Sequence, residues 1–112
     1  MHQGDTKRLH FTITDGSDAG TPLDISDAIV TWQASKGTAS RFSGVPVLTK
    51  TLANGGVRFL DEMNGQVLVE LLPADTQALS GNFYHELEIR DASGDVATAF
   101  VGEFRVNRAL IP

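Results

Sequence analysis

Apolar and polar residues alternate along most of this chain in short runs. That period of two puts successive side chains on opposite faces of a strand. Leu9, Phe11 and Ile13 alternate with His10 and Thr12, which predicts a half-buried first strand with His10 outward. Ala28, Val30, Trp32 and Ala34 alternate with Ile29, Thr31 and Gln33, so Trp32 is predicted to enter the core. Val45 to Leu52 and Val57 to Leu60 form a third and a fourth stretch. Val67, Val69 and Leu71 make one face of a fifth. Phe83, His85, Leu87 and Ile89 make one face of a sixth, leaving Tyr84, Glu86, Glu88 and Arg90 on the other. Val96 to Val106 is a long seventh, with Phe100, Phe104 and Val106 on one side. The short run from Pro22 to Ile25 is expected to add an edge strand, where proline is tolerated.

Between these runs lie Asp15-Gly16, Asn54-Gly55-Gly56, Asn64-Gly65 and Ser93-Gly94, all turn formers. Short strands separated by turn signals about every 8–12 residues predict a sandwich or barrel. The expectation is an all-β chain: an Ig-like antiparallel β-sandwich of about seven or eight strands, with residues 1–107 as one domain and 108–112 as a tail.

One hairpin is specified further. A two-residue Asn64-Gly65 turn would put Val57 and Phe59 on the opposite face from Val67 and Val69. A one-residue slip of this kind is costly wherever one face is buried. A three-residue loop, Met63-Asn64-Gly65, instead pairs Phe59 with Val69 and Val57 with Leu71, with Gly65 left-handed. The pattern selects the longer loop.

One stretch departs from β pattern. Leu72-Pro73-Ala74-Asp75-Thr76 predicts a short helical turn near residues 73–80. Pro73 suits the first helical position and Asp75 its positive end. Ala78 and Leu79 are expected to pack downwards, Leu79 as the plug of the sandwich end, and Gly81 to take the left-handed exit. Phe83 stands where antibody-like domains place a corner tyrosine.

Composition changes this picture little. A chain of 112 residues is one domain. It has no cysteine, which excludes a disulfide framework and a thiolate metal site. No apolar run approaches the ~18 residues of a membrane span. Nine lysines and arginines are scattered over a chain of net charge −5, so no nucleic-acid footprint emerges. His2, His10 and His85 have no metal-ligand spacing. No serine lies in a nucleophile elbow. Asp15, Asp18, Asp24, Asp27, Asp91 and Asp95 lie in loops, but without a calcium-loop pattern; aspartate is also a common turn former. The expectation is a non-enzymatic protein with no cofactor and no metal. Tyr84, Glu86, Glu88, Arg90, Leu110 and Ile111 are its candidate interface residues. Glu86, Glu88 and Arg90 are expected to form cross-strand ion pairs with Glu103 and Arg105.

Four pieces in order carry a resemblance: QGDTKRLHFTITD, TPLDISDAIVTWQAS, GGVRFLDEMNGQVLVELLPADTQALSG and NFYHELEIRDASGDVATAFVGEFRV. Together they resemble small Ig-like proteins of tailed bacteriophages and prophages, and are similar to the N-terminal domain of phage baseplate upper proteins. The Gly4-Asp5 opening, the Asn64-Gly65 hairpin and the Pro73-Ala74-Asp75-Thr76 turn carry most of it. The resemblance implies a virion structural or assembly role in a tail, baseplate or neck. It implies self-association and contacts with other phage structural proteins, and residence in the host cytoplasm and then the virion. It transfers no catalytic residue. Baseplate upper proteins carry further domains after this one, whereas this sequence stops at Pro112, as either a separate small protein or a fragment would. The alternative is a stand-alone Ig-like binding module for a glycan or host-surface ligand. It would need an exposed aromatic platform, and Tyr84 is the one aromatic predicted outward.

Overall fold

The alternating runs become seven strands in a computed structural model that describes residues 1–15 and 20–110. In chain order these are β1 (Lys7–Thr12), β2 (Ile29–Thr38), β3 (Arg41–Thr51), β4 (Val57–Asp61), β5 (Gln66–Leu71), β6 (Gly81–Arg90) and β7 (Val96–Val106). A 3₁₀ turn, Glu62–Asn64, joins β4 to β5, and a four-residue helix α1, Pro73–Thr76, joins β5 to β6. All pairings between strands are antiparallel. They form a three-stranded sheet, β1-β5-β4, and a four-stranded sheet, β3-β2-β6-β7. This is the Ig-like arrangement: β1, β5 and β4 take the places of strands B, E and D, and β3, β2, β6 and β7 those of C′, C, F and G.

Because side chains alternate, each sheet gives one face to the core. Val30, Trp32 and Ala34 of β2 and Leu87 of β6 meet Val57 of β4 and Val67, Val69 and Leu71 of β5. Trp32 is fully buried. It occupies the strand-C position that Ig domains fill with a core tryptophan. Here its ring packs on His85 and Phe104 rather than on a disulfide.

The short run from Pro22 to Ile25 forms no strand. It makes one isolated bridge, Thr14 to Pro22, and buries Ile25 in the core. Leu23 N donates to Ile13 O and Ile25 N to Glu62 O. The segment therefore closes one end of the sandwich instead of extending an edge.

The β4–β5 hairpin keeps the predicted face but not the predicted register. Val57 pairs with Val69 and Phe59 with Val67, and a bulge follows before Asp61 pairs with Gln66. The partners are shifted by two residues from the expected ones. Such a shift preserves which side chains face inward, so periodicity alone could not exclude it. Gly65 is left-handed (φ 69°), as predicted. It is needed twice over, because a Cβ there would stand 2.3 Å from the carbonyl oxygen of Ile13.

The helix crosses from one sheet to the other, but it spans residues 73–76 and not 73–80. Asp75 caps it as expected: its Oδ2 accepts from Leu72 N at 2.6 Å and binds Lys50 Nζ at 2.7 Å. The plug is Thr76, which is 0% exposed, while Leu79 is half-buried and Ala78 exposed. Thr76 can go inside because its Oγ1 accepts from Gly4 N at 3.0 Å; an unpartnered buried hydroxyl would be costly. Gly81 has φ 98° but opens β6 rather than ending the helix, whose last residue passes directly into a right-handed Gln77. Phe83 is buried and stacks on Phe104, with ring centroids 5.4 Å apart. With no corner hydroxyl, the N-terminal segment ties the crossing: Gln3 Nε2 donates to Leu79 O at 2.8 Å.

Candidate interaction face

β6 presents its two side-chain sets to different worlds. Phe83, His85 and Leu87 are buried in the core, while Tyr84, Glu86, Glu88 and Arg90 lie on the outer face of the four-stranded sheet. His85 is the buried polar residue of the inner set. Its Nδ1 accepts from Trp32 Nε1 at 2.9 Å, and the rings of Phe100 and Phe104 meet it edge-on. An indole N–H can only donate, so His85 is neutral with its proton on Nε2. Burial pushes its pKa below the ordinary histidine value. His85 is thus a packed, hydrogen-bonded core residue.

Tyr84 is on the predicted face but is not an open platform. Its exposure is 9%. Phe42 of β3 stacks on it, with ring centroids 4.2 Å apart and an 18° interplanar angle. Its hydroxyl donates to Glu86 Oε1. That bond to a carboxylate, then burial, then the nearby negative charge raise the Tyr84 pKa above its usual value. The hairpin between β2 and β3 bends over to make this cover. Gly37, at φ 120°, permits the bend, since a Cβ there would meet Arg41 O at 2.2 Å. The tip then reaches β7, where Ala39 N donates to Glu103 Oε1 at 2.6 Å.

The expected ion pairs on this face do not form. Glu103 is taken by Ala39 N, and Arg105 binds Asn82 and Asn107. In β6–β7 register Glu86 stands opposite Val101, not opposite a base. Among the described residues the ion pairs lie elsewhere: Arg8 and Arg58 with Glu70, and Lys50 with Asp75.

What remains is a shallow two-part groove. One part, about 110 Å³, is lined by Gln33, Ser35, Phe42, Pro46, Tyr84 and Glu86, among others. The other, about 140 Å³, is lined by Thr31, Gln33, Glu86 and Glu88. Gln33 and Glu86 belong to both, so an apolar end runs into an acidic one. Phe42, Ser35 and Pro46 were not legible as site residues in the sequence, because the β2–β6 pairing sets Ser35 opposite Tyr84 and the β2–β3 pairing brings in Phe42 and Pro46. β3 and β7 flank this face as the open edges of the sheet. Both expose large apolar side chains, Val45 and Val47 on one and Val96 and Val101 on the other.

The remaining candidates separate. Leu110 is 97% exposed, and Ile111 and Asp18 lie outside the described residues. Asp24, Asp27 and Asp91 line one pocket. Asp24 and Asp91 are turned into their own loops by Ser26 and Ser93, bonds that lower both pKa values. Among the described residues no group of three or more such side chains could hold a metal ion. No helix among them is long and apolar enough to cross a membrane. No protein-family model matches the chain, and no curated protein matches its sequence.

Proposed function

We propose that this chain is a non-enzymatic structural or assembly protein of a tailed phage or prophage particle, in the tail, baseplate or neck. It acts by packing on copies of itself and on other particle proteins, in the host cytoplasm during assembly and then in the virion. The observation that supports this best is the outer face of the β3-β2-β6-β7 sheet, a grooved surface bounded by two open edges with exposed valines. Open edges and exposed apolar side chains favour association with other chains. The resemblance of the four sequence pieces to Ig-like phage proteins supplies the particle context. The alternative, a module for a glycan or host-surface ligand, has less support, because Phe42 covers the ring of Tyr84 that would serve as platform.

The test is mass spectrometry of purified particles released on induction of the source strain. The chain at a defined copy number relative to the capsid protein is the expected result. Particles that contain other phage proteins and not this one would overturn the virion role and move the binding module to first place.

A further inference from the structure

We propose that the groove on the outer sheet face receives the C-terminal segment of a second copy of this chain, Arg108 on the acidic end and Leu110 on the aromatic end; this rests on the self-association in the functional reading above.

The segment has the composition the groove lacks. Among the described residues, Glu86 and Glu88 are the charged ones lining the two parts of the groove, and no base lies among them. Glu88 is exposed and in no ion pair among the described residues. Arg108 is likewise exposed and makes no hydrogen bond or ion pair there. Leu110, at 97% exposure, is more open to water than any other large apolar residue described.

Spacing matches as well as charge. Tyr84 and Glu86 are two apart on one face of β6, as are Arg108 and Leu110 in the tail. Two residues of extended chain span about 6.6 Å in either case. An extended tail laid antiparallel along β6 therefore puts Leu110 beside the Tyr84–Phe42 pair when Arg108 is beside Glu86. A leucine there would be shielded by Pro46 and Phe42.

The tail of the same molecule is held elsewhere. Asn107 N donates to Met1 O and Gln3 N to Asn107 O, each at 2.8 Å. Ala109 N donates to Gln3 Oε1 at 3.2 Å. These bonds keep the chain beside the N-terminal segment and the β5–β6 crossing, and present Leu110 outward. Tail and groove are different surfaces, so the contact is either exchanged reciprocally in a two-fold pair or repeated head-to-tail around a ring.

The experiment is sedimentation velocity of the full chain over a concentration series, with Arg108→Glu, Glu86→Arg, the double variant and Leu110→Asp. Trp32 fluorescence verifies that each is folded. The expected result is at least tenfold weaker association for each single variant and recovery in the double variant, where the charges are exchanged. The wild-type association should also weaken with added salt, since the charge pair is near water. Single variants that associate like the wild type would overturn the tail-in-groove contact and leave the structural role standing. A wild-type chain that stays monomeric throughout would also overturn it, and the particle analysis would then decide the structural role independently. Single losses with no recovery in the double variant would overturn the pairing of Arg108 with Glu86.

Discussion

The two sides of β6 differ in how their polar groups are satisfied. Inward, His85 finds its partner inside the same layer, in the Trp32 indole, and aromatic rings close around both. Outward, Tyr84 bonds to Glu86 on its own strand, while Glu88 lies in a groove with no base among its lining residues. A strand thus keeps a polar residue in the core only where a fixed donor awaits it. On the outer side water can satisfy a carboxylate, so charge there is free for a partner. The inner set decides whether the fold exists, and the outer set decides what it can meet.

Trp32→Ala should break the inner side most severely, by about 3–5 kcal/mol in denaturant unfolding, as a large-to-small change at a fully buried site. Leu87→Ala, also fully buried, should cost about 2–5 kcal/mol. A loss of only a few tenths would mean that the inner face of β2, for Trp32, or of β6, for Leu87, is not core.

Acid should sharpen the same contrast. Burial lowers the folded-state pKa of His85 relative to its unfolded value. The unfolded chain then binds the proton more readily, so stability is fully present above the ordinary value of 6.5 and falls as pH drops through the folded value. Protonation also turns Nδ1 into a donor facing the indole N–H. His85→Gln should flatten this part of the pH–stability curve. An unchanged curve would show that His85 is not protected in solution as it is here.

The outer side should respond least. Tyr84→Phe keeps the stack on Phe42 and removes one part-buried hydrogen bond, so it should cost about 0.5–1.5 kcal/mol. As the single tyrosine of the chain, Tyr84 can be titrated alone by absorbance. It should ionise above the usual tyrosine range, and Glu86→Gln should bring it back towards that range. Being raised on folding, this pKa contributes stability below the unfolded value that is lost as pH rises through the folded one. A tyrosine that titrates normally would break the Tyr84–Glu86 bond and the outer-face geometry with it.

Much of this was legible before the structure. The period of two is a local property of the backbone, so it assigned Trp32, Phe83, Leu87 and the valines of β5 to the core and Tyr84, Glu86, Glu88 and Arg90 to the outer face. Turn chemistry is local too, which is why Gly65 and the Pro73–Asp75 helix start were readable from neighbouring residues. Leu79 misled because apolar character suggested the plug. Thr76 displaced it through a bond from Gly4, which is distant in sequence.

By itself, then, the amino-acid sequence determined which side of every strand but β3 turns inward and where most turns lie, because both follow from interactions a few residues long. Only the tertiary structure decided the two-residue register of β4 on β5, the burial of Thr76, the cover of Phe42 over Tyr84 and the missing ion pairs around Glu86. Each depends on which distant segment arrives alongside. A hydrophobic pattern permits several such meetings with the same faces buried, and only packing and hydrogen-bond satisfaction across the assembled sheets choose among them.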